Sequence, residues 1–140
     1  MTRKDALDAI LAGVVADVAA YRALRELLDA QFDAALRHDS ARIAGVGDRI
    51  TALASTMHAR RAERVGLAAR LVGRAVEKPD AVFALMPAPA REYAESSWRE
   101  LELRVRECRE LNERNCRLLM DQHEIMRRVL DGEAETYAPA

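Results

Sequence analysis

The sequence predicts an all-α protein: an elongated antiparallel three-helix bundle or coiled coil, with a short helical turn in the linker before the third helix. Over most of the 140 residues, apolar side chains recur at steps of three and four, the period of a helix that buries one face. Aromatic residues make up only 4%, and the runs of Val, Ile, Thr, Tyr and Phe that build strands are missing. Three of the four prolines gather between Gly73 and Arg91, where they punctuate the chain instead of interrupting a periodic segment.

The first helix is expected over about 5–38, on the stripe Leu7, Ile10, Leu11, Val14, Val15, Val18, Tyr21, Leu24, Leu27, Leu28, Phe32 and Leu36. Asp39 and Ser40 then offer two good N-cap side chains, so a second helix is expected over about 41–73. So short a connection makes the two helices antiparallel neighbours. The second stripe is thin, with Ile43, Val46, Ile50, Leu53, Met57, Val65, Ala68 and Val72. Gly45, Gly47 and Gly66 each cost about 1 kcal/mol relative to Ala, so packing must hold this helix, and it should be the most mobile of the three. Pro79, Pro87 and Pro89 forbid a long helix in the linker, which has room for one or two turns over 80–86 and carries an exposed-looking apolar pair, Phe83 and Leu85.

A third helix is expected over about 90–131, closed by Gly132. Its outer faces carry Glu-before-Arg pairs at i, i+4, among them Glu100–Arg104, Glu110–Arg114, Glu113–Arg117 and Glu124–Arg128, each contributing about 0.2–0.5 kcal/mol. Residues 1–132 form a single helical domain in this reading, and 133–140 a flexible tail. A rod of this kind has a thin core and much lateral surface, which suits a binding or spacing protein better than an enzyme that must enclose a pocket.

Composition narrows the function classes. With 22 basic against 23 acidic residues the formal net charge is −1, which gives no global field toward nucleic acid or an anionic membrane. The longest apolar run, Ala9 to Ala16, is bracketed by Asp8 and Asp17 and falls far short of the roughly 20 residues a membrane crossing needs. The same acidic residues break any signal-peptide pattern, so a cytoplasmic protein is expected. Cys108 and Cys116 sit roughly 12 Å apart along a helix, too far for a disulfide, and are expected as reduced thiols filling a core or an interface. His38, His58 and His123 are expected on helix surfaces: Met120 occupies the position where a Glu-x-x-His metal motif would need Glu. No phosphate loop, nucleophile elbow or zinc spacing occurs, so no cofactor, metal or catalysis is expected.

Two features bear on partners. Between His58 and Lys78 the residues Arg60, Arg61, Arg64, Arg70, Arg74 and Lys78 outnumber Glu63 and Glu77. They spread around the helix without interleaved aromatics, so a solvated face is preferred over a nucleic-acid footprint. In the third helix Asn112 and Asn115 fall on the seam where apolar residues are expected, with Gln122 further on. Polar seam residues weaken a coiled coil but fix its register or its partner, and both a register lock and a partner-reading role stay open.

The string Leu111-Asn112-Glu113-Arg114-Asn115-Cys116-Arg117-Leu118-Leu119, with Trp98 before it and Thr136-Tyr137 after it, resembles the FlgN-type flagellar export chaperones. There a Trp-containing helix start leads into Leu-Asn-x-x-Asn-Gly-x-Leu-Leu and a short Tyr-Gly tail. The stretch Glu26-Leu27-Leu28-Asp29-Ala30-Gln31 is similar to the family's first hairpin. Cys116 stands where the family has Gly, and Ala138-Pro139 follows Tyr137 where Gly is expected. The resemblance implies a cytoplasmic type III export chaperone. Its clients would be the C-terminal helical segments of hook-filament junction (hook-associated) proteins, kept unpolymerised and delivered to the export gate. Tyr137 would dock on the gate's cytoplasmic domain. Helix-in-groove recognition assigns client binding to Asn112, Asn115, Leu118, Leu119, Gln122, Ile125, Met126, Val129 and Leu130. A structural coiled-coil adaptor or a nucleic-acid-associated bundle is the alternative, and the two part on whether the 118–130 face is free or buried in its own bundle. A homo-oligomer is compatible with either.

Overall fold

The computed structural model describes the backbone of residues 1–137 and the side chains of residues 1–128. It is all helical among those residues, with α1 over Arg3–Leu36, α2 over Ser40–Val72, α3 over Asp80–Phe83 and α4 over Ala88–Tyr137. α1 starts two residues earlier than the apolar pattern suggests because Thr2 caps it. The Thr2 hydroxyl accepts from the Asp5 amide at 3.1 Å, and the Asp5 carboxylate accepts from the Thr2 amide at 3.2 Å, closing a capping box.

The turn between α1 and α2 is a Schellman arrangement. The His38 amide donates to the Ala35 carbonyl and the Asp39 amide to the Ala34 carbonyl, which puts His38 in the left-handed position at φ 54°. Asp39 then caps α2 by accepting from the Arg42 amide at 3.1 Å. Glycine would hold the left-handed conformation without steric cost, so His38→Gly is expected to stabilise the chain by about 0.5–1 kcal/mol, measured as a higher urea midpoint. Beside this turn, hydrogen bonds from Arg37 and then Arg42 hold the Asp33 carboxyl below its usual range. The support is present at neutral pH and is lost as pH falls through that lowered value.

α1 is the central strut. It packs along its length against α2 on one side and α4 on the other, while α2 and α4 meet little. Pairings such as Asp17 with Arg60 and Arg64 make α1 and α2 antiparallel. Those of Asp29 with Arg114 and of Ala35 with Gln122 make α1 and α4 parallel. The main core caps the end where α1 begins: Ala6, Leu7 and Ile10 meet Leu67 and Ala68 of α2, Val82, Phe83 and Met86 of the linker, and Ala94 of α4. A second cluster of Val14, Val18 and Leu101, with Tyr21, Trp98 and Val105 against it, continues the core partway down the rod.

The linker corrects one expectation. Phe83 is not an exposed apolar residue: it is 1% exposed and meets Trp98 edge to face, with ring centroids 6.3 Å apart at 70°. Pro79 and Pro87 turn the chain across the end of the bundle, and the single turn of α3 aims Val82 and Phe83 into the core. Arg91 donates to the carbonyls of Met86 and Ala84 at 3.0 and 3.3 Å, tying the linker to the start of α4. At the other end, α4 does not stop at the expected Gly132; its backbone bounds reach Tyr137. A helical glycine costs only about 1 kcal/mol, and Glu133, Ala134 and Glu135 are good helix formers. The side chains of Val129, Leu130 and Tyr137 lie outside the described ones, and residues 138–140 lie outside the described residues altogether.

Candidate functional site: the parallel seam and the unpaired end of the last helix

The contact between α1 and α4 repeats every seven residues. Leu7, Val14, Tyr21, Leu28 and Ala35 on α1 stand level with Ala94, Leu101, Cys108, Asn115 and Gln122 on α4. The first two rungs are apolar. The last three are polar and identical in kind: each α4 side chain donates to the backbone carbonyl of its α1 partner. Cys108 Sγ reaches Tyr21 O at 3.4 Å, Asn115 Nδ2 reaches Leu28 O at 2.7 Å, and Gln122 Nε2 reaches Ala35 O at 2.7 Å.

Asn115 is 1% exposed. Its amide also donates to Gln31 Oε1 at 2.8 Å, and its carbonyl oxygen accepts from Arg114 Nε at 3.1 Å. Arg114 lies over the Phe32 ring at 3.8 Å and reaches Asp29 at 3.3 Å. It therefore does not make the outward Glu110–Arg114 pair read from the sequence; it serves the seam. Glu100–Arg104, Glu113–Arg117 and Glu124–Arg128 do close as expected. Higher up, Arg22 pairs with Glu100, and Arg25 with Glu107 at 3.0 Å.

The candidate residues divide by their distance along this seam. Asn115 and Gln122 are bound to α1. Asn112 is corrected: it is exposed and off the seam, because three residues before Asn115 is five-sixths of a turn, which leaves it about 60° round the helix from the position that α1 covers. Leu118 and Leu119 are half-buried, whereas Met120, Ile125 and Met126 are 71%, 61% and 57% exposed. Met120 is level with α1 but five residues past Asn115, on the outward face of α4. Ile125 and Met126 are exposed because α1 ends at Leu36, itself exposed, and Gln122 is the last described α4 side chain that bonds to it. From His123 the α4 backbone continues fifteen residues to Tyr137, about 22 Å at 1.5 Å per residue. Positions 118, 125 and 129 keep the spacing of the stripe that α1 covers higher up, so Ile125 extends a packing face past the end of its partner, with Met126, one heptad after half-buried Leu119, on its flank.

The two thiols sit differently. Cys108 is buried in the seam and Cys116 is exposed. Burial, and then the neighbouring Glu107 carboxylate, push the Cys108 thiol up to about 11. A maleimide at pH 8 is therefore expected to modify Cys116 promptly and to spare Cys108 until the chain unfolds, which mass spectrometry of digested samples reads directly. Equal modification of both would place Cys108 outside the seam.

Two contacts escaped the sequence reading. Arg60 and Arg64 are not part of a solvated face: their guanidinium groups donate to opposite oxygens of Asp17, buried in α1, at 2.6 and 2.5 Å. The available signal was an aspartate inside the apolar stripe of the first helix facing two arginines one turn apart. His38, His58 and His123 are exposed and distant from one another in the chain, and among the described residues no group of three or more His, Cys, Asp or Glu gathers in metal-binding distance. No helix among the described residues is long and apolar enough to cross a membrane.

A helical rod whose longest helix carries Ile125 and Met126 exposed past the end of its partner has the build of a helix-binding protein. The profile of the FlgN protein family matches residues 1–132, and the chain belongs to that family. A general role as a flagellar export chaperone comes with membership. No curated protein and no solved structure matches the chain.

Proposed function

We propose that the chain is a cytoplasmic chaperone for hook-filament junction proteins. It covers their C-terminal helical segments, keeps them from assembling early and delivers them to the export gate. The observation that carries this reading is the α4 overhang, where Ile125 and Met126 are exposed just past the end of α1. A junction subunit's terminal segment is an amphipathic helix whose apolar face needs a cover before assembly, and an unpaired helix face with anchors at i, i+3, i+4 and i+7 supplies one. Leu118, Leu119, Ile125, Met126, Val129 and Leu130 are the proposed anchors, with Asn112 at the rim and Asn115 and Gln122 where the site meets α1.

Titration calorimetry of the intact chain with the C-terminal segment of a junction protein from the same cell tests the reading. Saturable binding is expected, and none would overturn it. Tyr137 is proposed to dock on the export gate and not to hold the client. Tyr137→Ala should leave that titration unchanged and weaken binding of the complex to the gate's cytoplasmic domain about thirty-fold, as a contact worth about 2 kcal/mol requires. Lost client affinity would assign the tyrosine to the other site.

A further inference from the structure

The rod is built in two halves of different cement. Contiguous apolar core covers the end formed by α1's first turns, α3 and the start of α4, and the second cluster stops at Tyr21 and Val105. Below that level the buried apolar side chains of α1 thin to Leu27, Leu28, Ala34 and Ala35, and α1 and α4 are joined by the Cys108, Asn115 and Gln122 rungs and by Arg114. We propose that this lower half is a seam that parts when a client helix arrives, the helix entering between α1 and α4 while the apolar head stays closed as the hinge. The proposal rests on the chaperone reading above and enlarges its site from the overhang to the cleft.

Three observations argue for it. The rungs end on backbone carbonyls that belong to α1's own helix, so when they open neither helix loses its internal bonds, and the freed donors and carbonyls exchange their partners across the seam for water at little net cost. Parting the head would expose Leu7, Ile10, Val14, Phe83 and Leu101, all buried, whereas of the large apolar side chains the lower half would bare only Leu28 is fully buried, so the head costs more in proportion to the apolar area uncovered. Parting the lower half bares Leu28 and Phe32 on α1 and Leu111 and Leu118 on α4, and these are continuous with Ile125 and Met126, the anchors already exposed. The occupant that covers both is one amphipathic helix long enough to reach from the overhang into the cleft. Because every rung sits at the same heptad offset, the seam recloses in one register once the client leaves.

Electron-spin distance measurement tests this directly. Spin labels at Glu26→Cys on α1 and Arg117→Cys on α4, in a Cys116→Ser chain that keeps the buried Cys108, span the lower half. Labels at Asp8→Cys and Glu95→Cys span the head; all four positions are exposed. On saturation with the C-terminal segment of a junction protein, the lower distance is expected to lengthen by about 8–10 Å, one helix-packing distance, and the head distance to stay as it was. Saturated complex with an unchanged lower distance overturns the parting seam and leaves the chaperone reading intact. Failure of the unmodified chain to bind the segment overturns both. As a second arm, Asn115→Leu with Gln122→Leu replaces two polar rungs by apolar knobs. That chain should melt at the same temperature or higher and bind the segment at least tenfold more weakly, and undiminished binding by the folded variant overturns the proposal.

Discussion

A chain carrying Ile125→Asp and Met126→Asp is expected to bind the junction-protein segment about a thousandfold more weakly than the native chain and to melt at the same temperature. Each side chain is more than half exposed, so neither contributes much to folding, and aspartate at a helix surface disturbs nothing packed. In a complex each would be a desolvated anchor worth about 2 kcal/mol, and about 4 kcal/mol in total is three decades of dissociation constant. Leu103 provides the control: it is 54% exposed on the same helix but level with the head, and Leu103→Asp should leave both binding and melting unchanged. Titration calorimetry with a parallel thermal melt reads both quantities. Equal loss from Leu103→Asp would mean that the effect is general charge on α4 and not the overhang.

The second large effect concerns stability. Phe83→Ala is expected to cost about 3–5 kcal/mol, the range for deleting a fully buried aromatic and leaving a cavity, and to lower the midpoint of thermal unfolding by roughly 10–20 °C. Phe83 is the keystone of the capped end, with Val82 and Met86 beside it and the only tryptophan, Trp98, edge-on to its ring. Tryptophan fluorescence should therefore report the change before the helical signal does. A loss below 1 kcal/mol would show that the linker rests on the bundle without being part of its core.

Much of this was legible in the chain. The helix bounds came within two residues at five of the six long-helix ends, because apolar period and capping residues are local properties that act within one or two turns. The polar seam was visible as Asn115 and Gln122 interrupting an apolar stripe, although the same reading placed Asn112 beside them. Arg114 was read as an outward partner of Glu110 because i, i+4 spacing is all that one helix shows of itself. Its stacking on Phe32 and its bond to Asp29 depend on a helix some 85 residues earlier.

By itself, then, the sequence determined the three long helices, the punctuated linker and the polar character of the lower seam, since each follows from residues close along the chain. Only the tertiary structure decided that Phe83 turns inward, that Asp17 takes up Arg60 and Arg64, and that α1 stands between the other two helices. It also decided where the candidate site begins. Helix lengths are written locally, but an overhang is a difference between two helices, set by the register in which they meet. With Gln122 level with Ala35 and α1 ending one residue later, the packing face of α4 runs on past its partner, and Ile125 and Met126 are left uncovered.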